Sequence, residues 1–314
     1  MARYFVRRLA FLILTVLLSS VIIFAVTQLL PGDVARVILG REASEVSLQS
    51  LRQELGLNKP PPLRYLAWLG SFIVGDWGTS YSTGQPIRPL VVERLRSSLM
   101  LAALTLLIAV PLAVGLGVIA GLYENSAVDN AISVAALSVV GLPEFVTGVL
   151  LIQLLAFHFH LFPASSSIPP GTGFFAALPS LVLPALTNTL VLLAYVARLT
   201  RAGVVEELNA PYVRTARLKG LPRRTVIVRH VLRNALLPTI TIVAISFGWL
   251  ISGLVVVENV FNYPGLGRLL VFAIDRRDLP LLQAIAVVTT LGFALANLAA
   301  DLLYAYLNPR IRLG

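Results

Sequence analysis

The chain has 314 residues, 57% of them apolar and only 13% charged, with a mean hydropathy of +0.84; soluble domains carry about a quarter charged residues, so this composition excludes a soluble globule and belongs in a bilayer. There are no cysteines, which excludes disulfide staples, thiolate zinc sites and iron–sulfur clusters. The net charge of +10 would suggest nucleic acid on a soluble chain, but here the basic residues report topology by their position, and no nucleic acid is expected as a partner.

A spanning helix needs roughly twenty predominantly apolar residues to cross a ~30 Å hydrocarbon core. Six windows meet that test: Leu9 to Leu30, Leu99 to Leu122, Ala131 to Phe157, Leu178 to Ala197, Leu236 to Val257 and Leu281 to Leu307. The first follows Arg3, Arg7 and Arg8 as a signal peptide would. Its apolar core exceeds the ~7 to 15 residues of such a signal and ends in "LLPGD" without a small-residue cleavage site, so it reads as a retained span. Placing both termini in the cytoplasm puts 14 of the 25 basic residues inside, nine of them between Arg198 and Arg233. Eight of the other 11 fall between Pro31 and Arg96, where segment length removes the force of the positive-inside rule. The loop Tyr123 to Asp129, assigned to the cytoplasm, carries Glu124 and Asp129 but no basic residue.

The expected class is therefore an all-α integral membrane protein with six transmembrane helices and both termini cytoplasmic. Residues 1–30 form the first span and residues 31–96 a small extracytoplasmic helical subdomain. Within it Ser44 can cap a helix bearing Leu48, Leu51 and Leu55 and stopped by Gly56, and a second helix should follow "KPPP" from about Leu63 to Val74. Residues 97–307 form the core with five spans and a cytoplasmic loop at 198–235, and residues 308–314 a cytoplasmic tail.

That loop contains "NAPYVRTARLKGLPRRTVIVRH", Asn209 to His230. Asn209 or Ala210 can cap a helix with Pro211 in its first turn, where the missing N–H removes no hydrogen bond; Gly220 ends it, and a second helix starts near Pro222. The second helix turns Arg223, Arg229, His230 and Arg233 to one side and Val228, Val231, Leu232 and Ala235 to another. A helix so short needs support from elsewhere. The residues alone leave two readings open, an anchor at lipid headgroups and a docking site for protein.

"YVRTARLKGL" followed by "RHVLRNALLP" resembles the cytoplasmic signature of bacterial ATP-binding-cassette importer permeases of the dipeptide/oligopeptide branch. So do "LLPGD", "LRQELGLNKPPPLRYLAWL" with "GDWGTS", "VFNYPGLGRLL" with "RRDLP", and "DLLYAYLNPRIR". The matches cover essentially the whole chain in order. Arg214 stands where the general importer motif begins with Glu, Pro211 where this branch often has an acid, and Arg96 where Pro is frequent. The resemblance implies a type I importer permease fold in the bacterial cytoplasmic membrane and half of a translocation pathway for dipeptides or oligopeptides. It also implies a second homologous permease, two ATPase subunits or domains, and an extracytoplasmic substrate-binding protein. The ATPase-coupling helix it implies comprises Tyr212, Arg214, Thr215, Ala216, Arg217, Gly220 and Leu221, with Ala216 permitting close approach to the ATPase.

No cofactor is expected in this chain, since neither Lys59 nor Lys219 sits in a P-loop; ATP and magnesium would be bound by the partner ATPases, and the chain is expected not to be an enzyme. An ion-coupled secondary transporter is the alternative of another class, and import of nickel or another small solute the alternative within the same architecture. Ion coupling usually uses acidic or histidine groups within spans, and Glu144 is the one carboxylate well inside a predicted span, with Asp301 near the inner end of the last. His158 and His160, two apart, point to different helix faces, so no metal site is expected. The candidate pathway or gate residues are Glu144, Gln153, Asn188, Glu258, Tyr263 and Pro264; Ser246, Ser252 and Asn297 are further polar groups that interhelical contacts would equally explain. The segment Glu258 to Pro280 reads as an interfacial surface helix or as a gate.

Overall fold

The computed structural model describes residues 2–29, 36, 39, 43–54, 58–169 and 172–307. Among these there is no β-strand, only one isolated bridge between Thr79 and Pro86. Contacts group the chain into two compact units, Ala2–Ser98 with Pro264–Ala294, and Leu99–Tyr263 with Leu295–Gly314.

The first unit holds α1 (Ala2–Leu29), α2 (Glu45–Glu54), α3 (Pro61–Val74), the start of α4 (Ile87–Leu122), α12 (Leu266–Asp275) and the start of α13 (Leu279–Leu307). Ser44 caps α2 as expected, its Oγ accepting from Ser47 N at 3.2 Å, and Leu48 is buried; "LLPGD" beyond Leu29, Leu55 and Gly56 lie outside the described residues. α3 begins two residues earlier than expected and closes at Gly75, whose φ of +88° lets Asp76 N reach back to Ser71 O at 2.9 Å. The "GDWGTS" and "RRDLP" stretches meet at Asp278. This fully buried carboxylate accepts from Ser80 Oγ at 2.5 Å, Ser82 Oγ at 2.7 Å and Ser82 N at 3.1 Å, while its other oxygen caps α13 at Leu281 N. Ile87, Val91, Leu266, Leu269, Leu281 and Ile285 form the core of this unit.

The second unit holds the rest of α4, then α5 (Ala127–Val140), α6 (Glu144–Leu151) running on as a π-helix to His158, and α7 (Phe174–Leu208). The third predicted span is thus not one helix: α5 and α6 meet at a 105° bend over Gly141-Leu142-Pro143. Pro143 lacks the N–H that would bond back to α5 and drives Leu142 out of helical geometry, so the helix restarts at Glu144. α4 and α7 overrun their predicted spans, starting at Ile87 and ending at Leu208, because the flanking polar turns keep good helix formers although they lack hydropathy. α8 (Pro211–Leu218) follows, then α9 (Arg223–Thr225), a π segment Val226–Val231, α10 (Leu232–Gly253) and α11 (Val255–Val260). The fifth predicted span therefore ends at Gly253 rather than Val257.

Small residues set the helix spacing in this unit. A Cβ on Gly117 of α4 would stand 2.5 Å from Ala197 O, one on Gly121 2.7 Å from the Val204 side chain, and one on Gly203 of α7 2.6 Å from Ala235 O of α10. Backbones this close are the packing solution of membrane helices, where burying apolar area against lipid gains nothing. Leu101, Ala109, Leu181, Val196, Leu250 and Tyr263 fill the core they enclose.

Candidate functional site

α8 is eight residues, with Ala210 as its N-cap, Pro211 at the first helical position and Gly220 at φ +75° after its end. Leu221 N bonds back to Ala216 O at 3.4 Å and Gly220 N to Arg217 O at 3.0 Å, so the glycine turn satisfies carbonyls that the helix end would leave open. Nothing lies within 4 Å of where a Gly220 Cβ would stand. Glycine is required there for its backbone angle and not for space.

The helix rests on its own chain through two side chains. Val213 is fully buried and Ala216 is 6% exposed, both packed with Val204, Val226, Val231 and Ala235. Ala216, expected to admit a partner, faces inward, and the close approach it permits is to α7, α10 and the π segment of this chain. Arg214, Thr215, Arg217 and Leu221 are exposed, and Leu218 is 80% exposed. Tyr212 lies at the edge. Its hydroxyl donates to the Glu207 carboxylate, accepts from Asn234 Nδ2 at 3.0 Å and lies 3.2 Å from His230 O. Desolvation, then the bond to Glu207, raises the phenol above its ordinary pKa, so it stays a neutral strut between α7 and α10.

The helix after Gly220 departs from the expected phase. Val226 and Val231 are both buried while Val228 is 55% exposed, because i→i+5 bonding through Val226–Val231 brings residues five apart onto one face. Ala235 is buried and Leu232 half-buried, as the apolar side predicted.

An ion pair that sequence reasoning missed joins α5 to α7. Arg201 on α7 forms two bonds to Asp129 on the first turn of α5, Nε to Oδ1 at 2.5 Å and Nη2 to Oδ2 at 2.6 Å. Asn125 N at 2.9 Å and Ser133 Oγ at 3.3 Å complete the donors around a carboxylate 2% exposed. The loop that carries no basic residue of its own thus borrows one of the nine between Arg198 and Arg233, 72 positions away. Neither spacing nor local composition signals that pairing.

The candidate pathway residues differ in placement. Glu144 is half-buried at the start of α6, beside the bend, and Gln153 is exposed on the π segment. Asn188 is 2% exposed on α7, and its Nδ2, with Thr105 Oγ1 and Thr147 Oγ1, is buried without a hydrogen-bond partner among the described residues. Glu258 and Tyr263 are fully buried, joined by Tyr263 N to Glu258 O at 2.8 Å. Pro264 is half-buried, its carbonyl accepting from Arg94 Nη1 at 3.3 Å. Glu258 to Pro280 is not one surface helix but α11, a turn and α12, so the aromatic turn is core. Ser246 is buried and Asn297 half-buried, and the Ser252 side chain lies outside the described residues. His160 leaves the helix at φ +54°, and no metal-competent cluster occurs among the described residues.

Five long apolar helices, a bent helix pair that makes a sixth span if it crosses once, and a short exposed helix define a multi-pass, all-α membrane protein. The chain belongs to the family described as binding-protein-dependent transport system inner membrane component, which matches residues 113–313, and residues 1–102 match that family's N-terminal membrane component. It is thus an ATP-binding-cassette importer permease of the peptide branch, in the bacterial inner membrane. It is 38% identical to the glutathione transport system permease protein GsiC of Pectobacterium atrosepticum, over 99% of each chain. It is 36% identical to the probable peptide ABC transporter permease protein y4tP of Sinorhizobium fredii, over 99% of this chain and 100% of that one. A crystal structure of an amino acid ABC transporter with histidines superposes with a TM-score of 0.53 at 18% identity, covering 69% of this chain and 94% of that one; it bears on the fold alone.

Proposed function

We propose that this chain is one half of the translocation pathway of a peptide importer and pairs with a second homologous permease. Two ATPase subunits or domains would bind ATP and magnesium, and an extracytoplasmic binding protein would deliver the cargo. The observation that carries the reading is the division of α8. Val213 and Ala216 fasten it to α7, α10 and the π segment, while Arg214, Thr215, Arg217, Leu218 and Leu221 stand outward for a partner. Two arginines and two leucines on one short exposed rod suit a groove with an apolar floor and acidic rim. A lipid-surface anchor would need no glycine at φ +75° to redirect the chain.

Cargo is proposed as dipeptides or short oligopeptides, in keeping with relatives named for glutathione and for peptide. Gentle purification of the tagged chain should recover a second permease and an ATPase, and di- and tripeptides with the cognate binding protein should stimulate ATP turnover in proteoliposomes. Transport-competent chain recovered without either partner would refute the assembly. Stimulation by nickel salts with no response to peptides would refute the cargo.

A further inference from the structure

The first unit contains a cavity of about 360 Å³ that none of the transport reading uses. Phe24 and Gln28 on the last two turns of α1 line it, with the first residues of α13. α1 leaves the cytoplasm at its N-terminus, so the cavity sits at the outer face of the bilayer. α3 forms another wall through Arg64, Ala67 and Trp68 and turns Leu63, Leu66, Ile73 and Val74 outward, each more than half exposed. Its 14 residues span about 21 Å, too short to cross the ~30 Å core. A short helix with an apolar outward face lies in the plane of the interface.

Arg64 is the one charged residue on α3, and neither it nor Lys59, which lines the same cavity, forms an ion pair among the described residues. Asp76 stands on the lining too, its Oδ1 accepting from Gly78 N at 3.1 Å. The rings of Trp68, Trp77 and Tyr81 line the same cavity. Trp77 is stacked on Phe72 at 4.7 Å and its indole N–H is engaged by Phe72 O, so it presents only ring surface. Burial, with the nearby Asp278 carboxylate, raises the Tyr81 phenol, whose hydroxyl therefore remains a donor. Two cations and a carboxylate in one aromatic-lined cavity at the C-terminal end of α1 complement a phosphodiester joined to a primary ammonium.

We propose that this cavity binds a phospholipid of the ethanolamine type, with the phosphodiester held by Lys59 and Arg64 and the ammonium by Asp76. The acyl chains leave along the exposed apolar surfaces of α1 and α3, where Leu17 and Val21, on the same face of α1 as Phe24, are 42% and 46% exposed.

The test uses the full chain in its purified assembly, delipidated and then titrated separately with phosphatidylethanolamine, phosphatidylglycerol, diacylglycerol, inorganic phosphate and a dipeptide. Tm and lipid retention in native mass spectrometry are followed. Phosphatidylethanolamine should raise Tm and remain bound. The double variant K59Q/R64Q should weaken it at least about tenfold, the loss expected for one charge-assisted hydrogen bond, while Arg64→Lys, which keeps the charge, should retain it. Asp76→Asn should abolish the preference over phosphatidylglycerol without abolishing phosphatidylglycerol binding. Equal protection by diacylglycerol, or retention unchanged in K59Q/R64Q, overturns the proposal. So does protection by phosphate or dipeptide alone that Arg64→Gln removes, which would make the cavity a solute site.

Discussion

Gly220 holds φ at +75° in open space, which separates its two conceivable roles. Gly220→Val meets no clash, but a β-branched residue in the left-handed region carries about 1–3 kcal/mol of strain that refolding of the turn would relieve. The assembly should still form, while peptide-stimulated ATP turnover and uptake come apart in proteoliposomes; Gly220→Asn, which tolerates this region, should restore most of the link. A valine variant indistinguishable from the parent in both assays would remove α8 from the coupling role. Asp129 makes a different residue-scale claim. Removing one partner of a buried pair costs 3–5 kcal/mol at most sites, and the 30% exposure of the Arg201 side chain places Asp129→Asn near about 3 kcal/mol. Thermal unfolding of the detergent-solubilised variant should register a fall of several degrees, and an unchanged Tm would mean that the pair contributes nothing.

At the scale of elements, helix existence was legible where periodic or capping signals were strong. Ser44, Pro211 with Gly220, and "KPPP" each began or ended a helix close to the expected place. The broken third span was not legible from hydropathy, because a twenty-residue window averages across Gly141 and Pro143. Proline alone could not have marked it, since Pro111, Pro179, Pro184 and Pro238 all sit inside helices. The inward turn of Ala216 escaped for a related reason. An eight-residue helix has two inward positions, and Val213, Leu218 and Leu221 offer no clean stripe to choose them. Helix contacts yield a paired prediction. Gly117→Leu drives a side chain into the Ala197 carbonyl and should destabilise the chain by roughly 3 kcal/mol, whereas Gly115→Leu, with nothing within 4 Å, should leave stability within about 0.5 kcal/mol of the parent. Expression and thermal stability of the two variants side by side measure the difference, and equal tolerance would mean that α4 and α7 do not need backbone contact.

At the scale of the whole molecule, α1 is the least buried of the five long apolar helices, with only 11% of its apolar window covered by its own chain; its surroundings must be lipid or another subunit. The two units mix distant stretches of sequence, which is why Asp278 with Ser80, and Asp129 with Arg201, could not be paired from spacing. The topology itself rests on a modest excess of basic residues, and the absence of native cysteine makes it directly testable. Leu218→Cys, at 80% exposure, should react with an impermeant maleimide only in inverted vesicles, and Gln85→Cys only in intact spheroplasts. Assembly with the ATPase should then slow Leu218→Cys labelling by at least about tenfold without affecting Gln85→Cys, because a docked rod is removed from solvent and the outer loop is not. Labelling of both positions from the same side would collapse the six-span arrangement, and the swapped pattern would invert it. Labelling of Leu218→Cys at the same rate with and without the ATPase would leave the topology standing and detach α8 from its proposed partner.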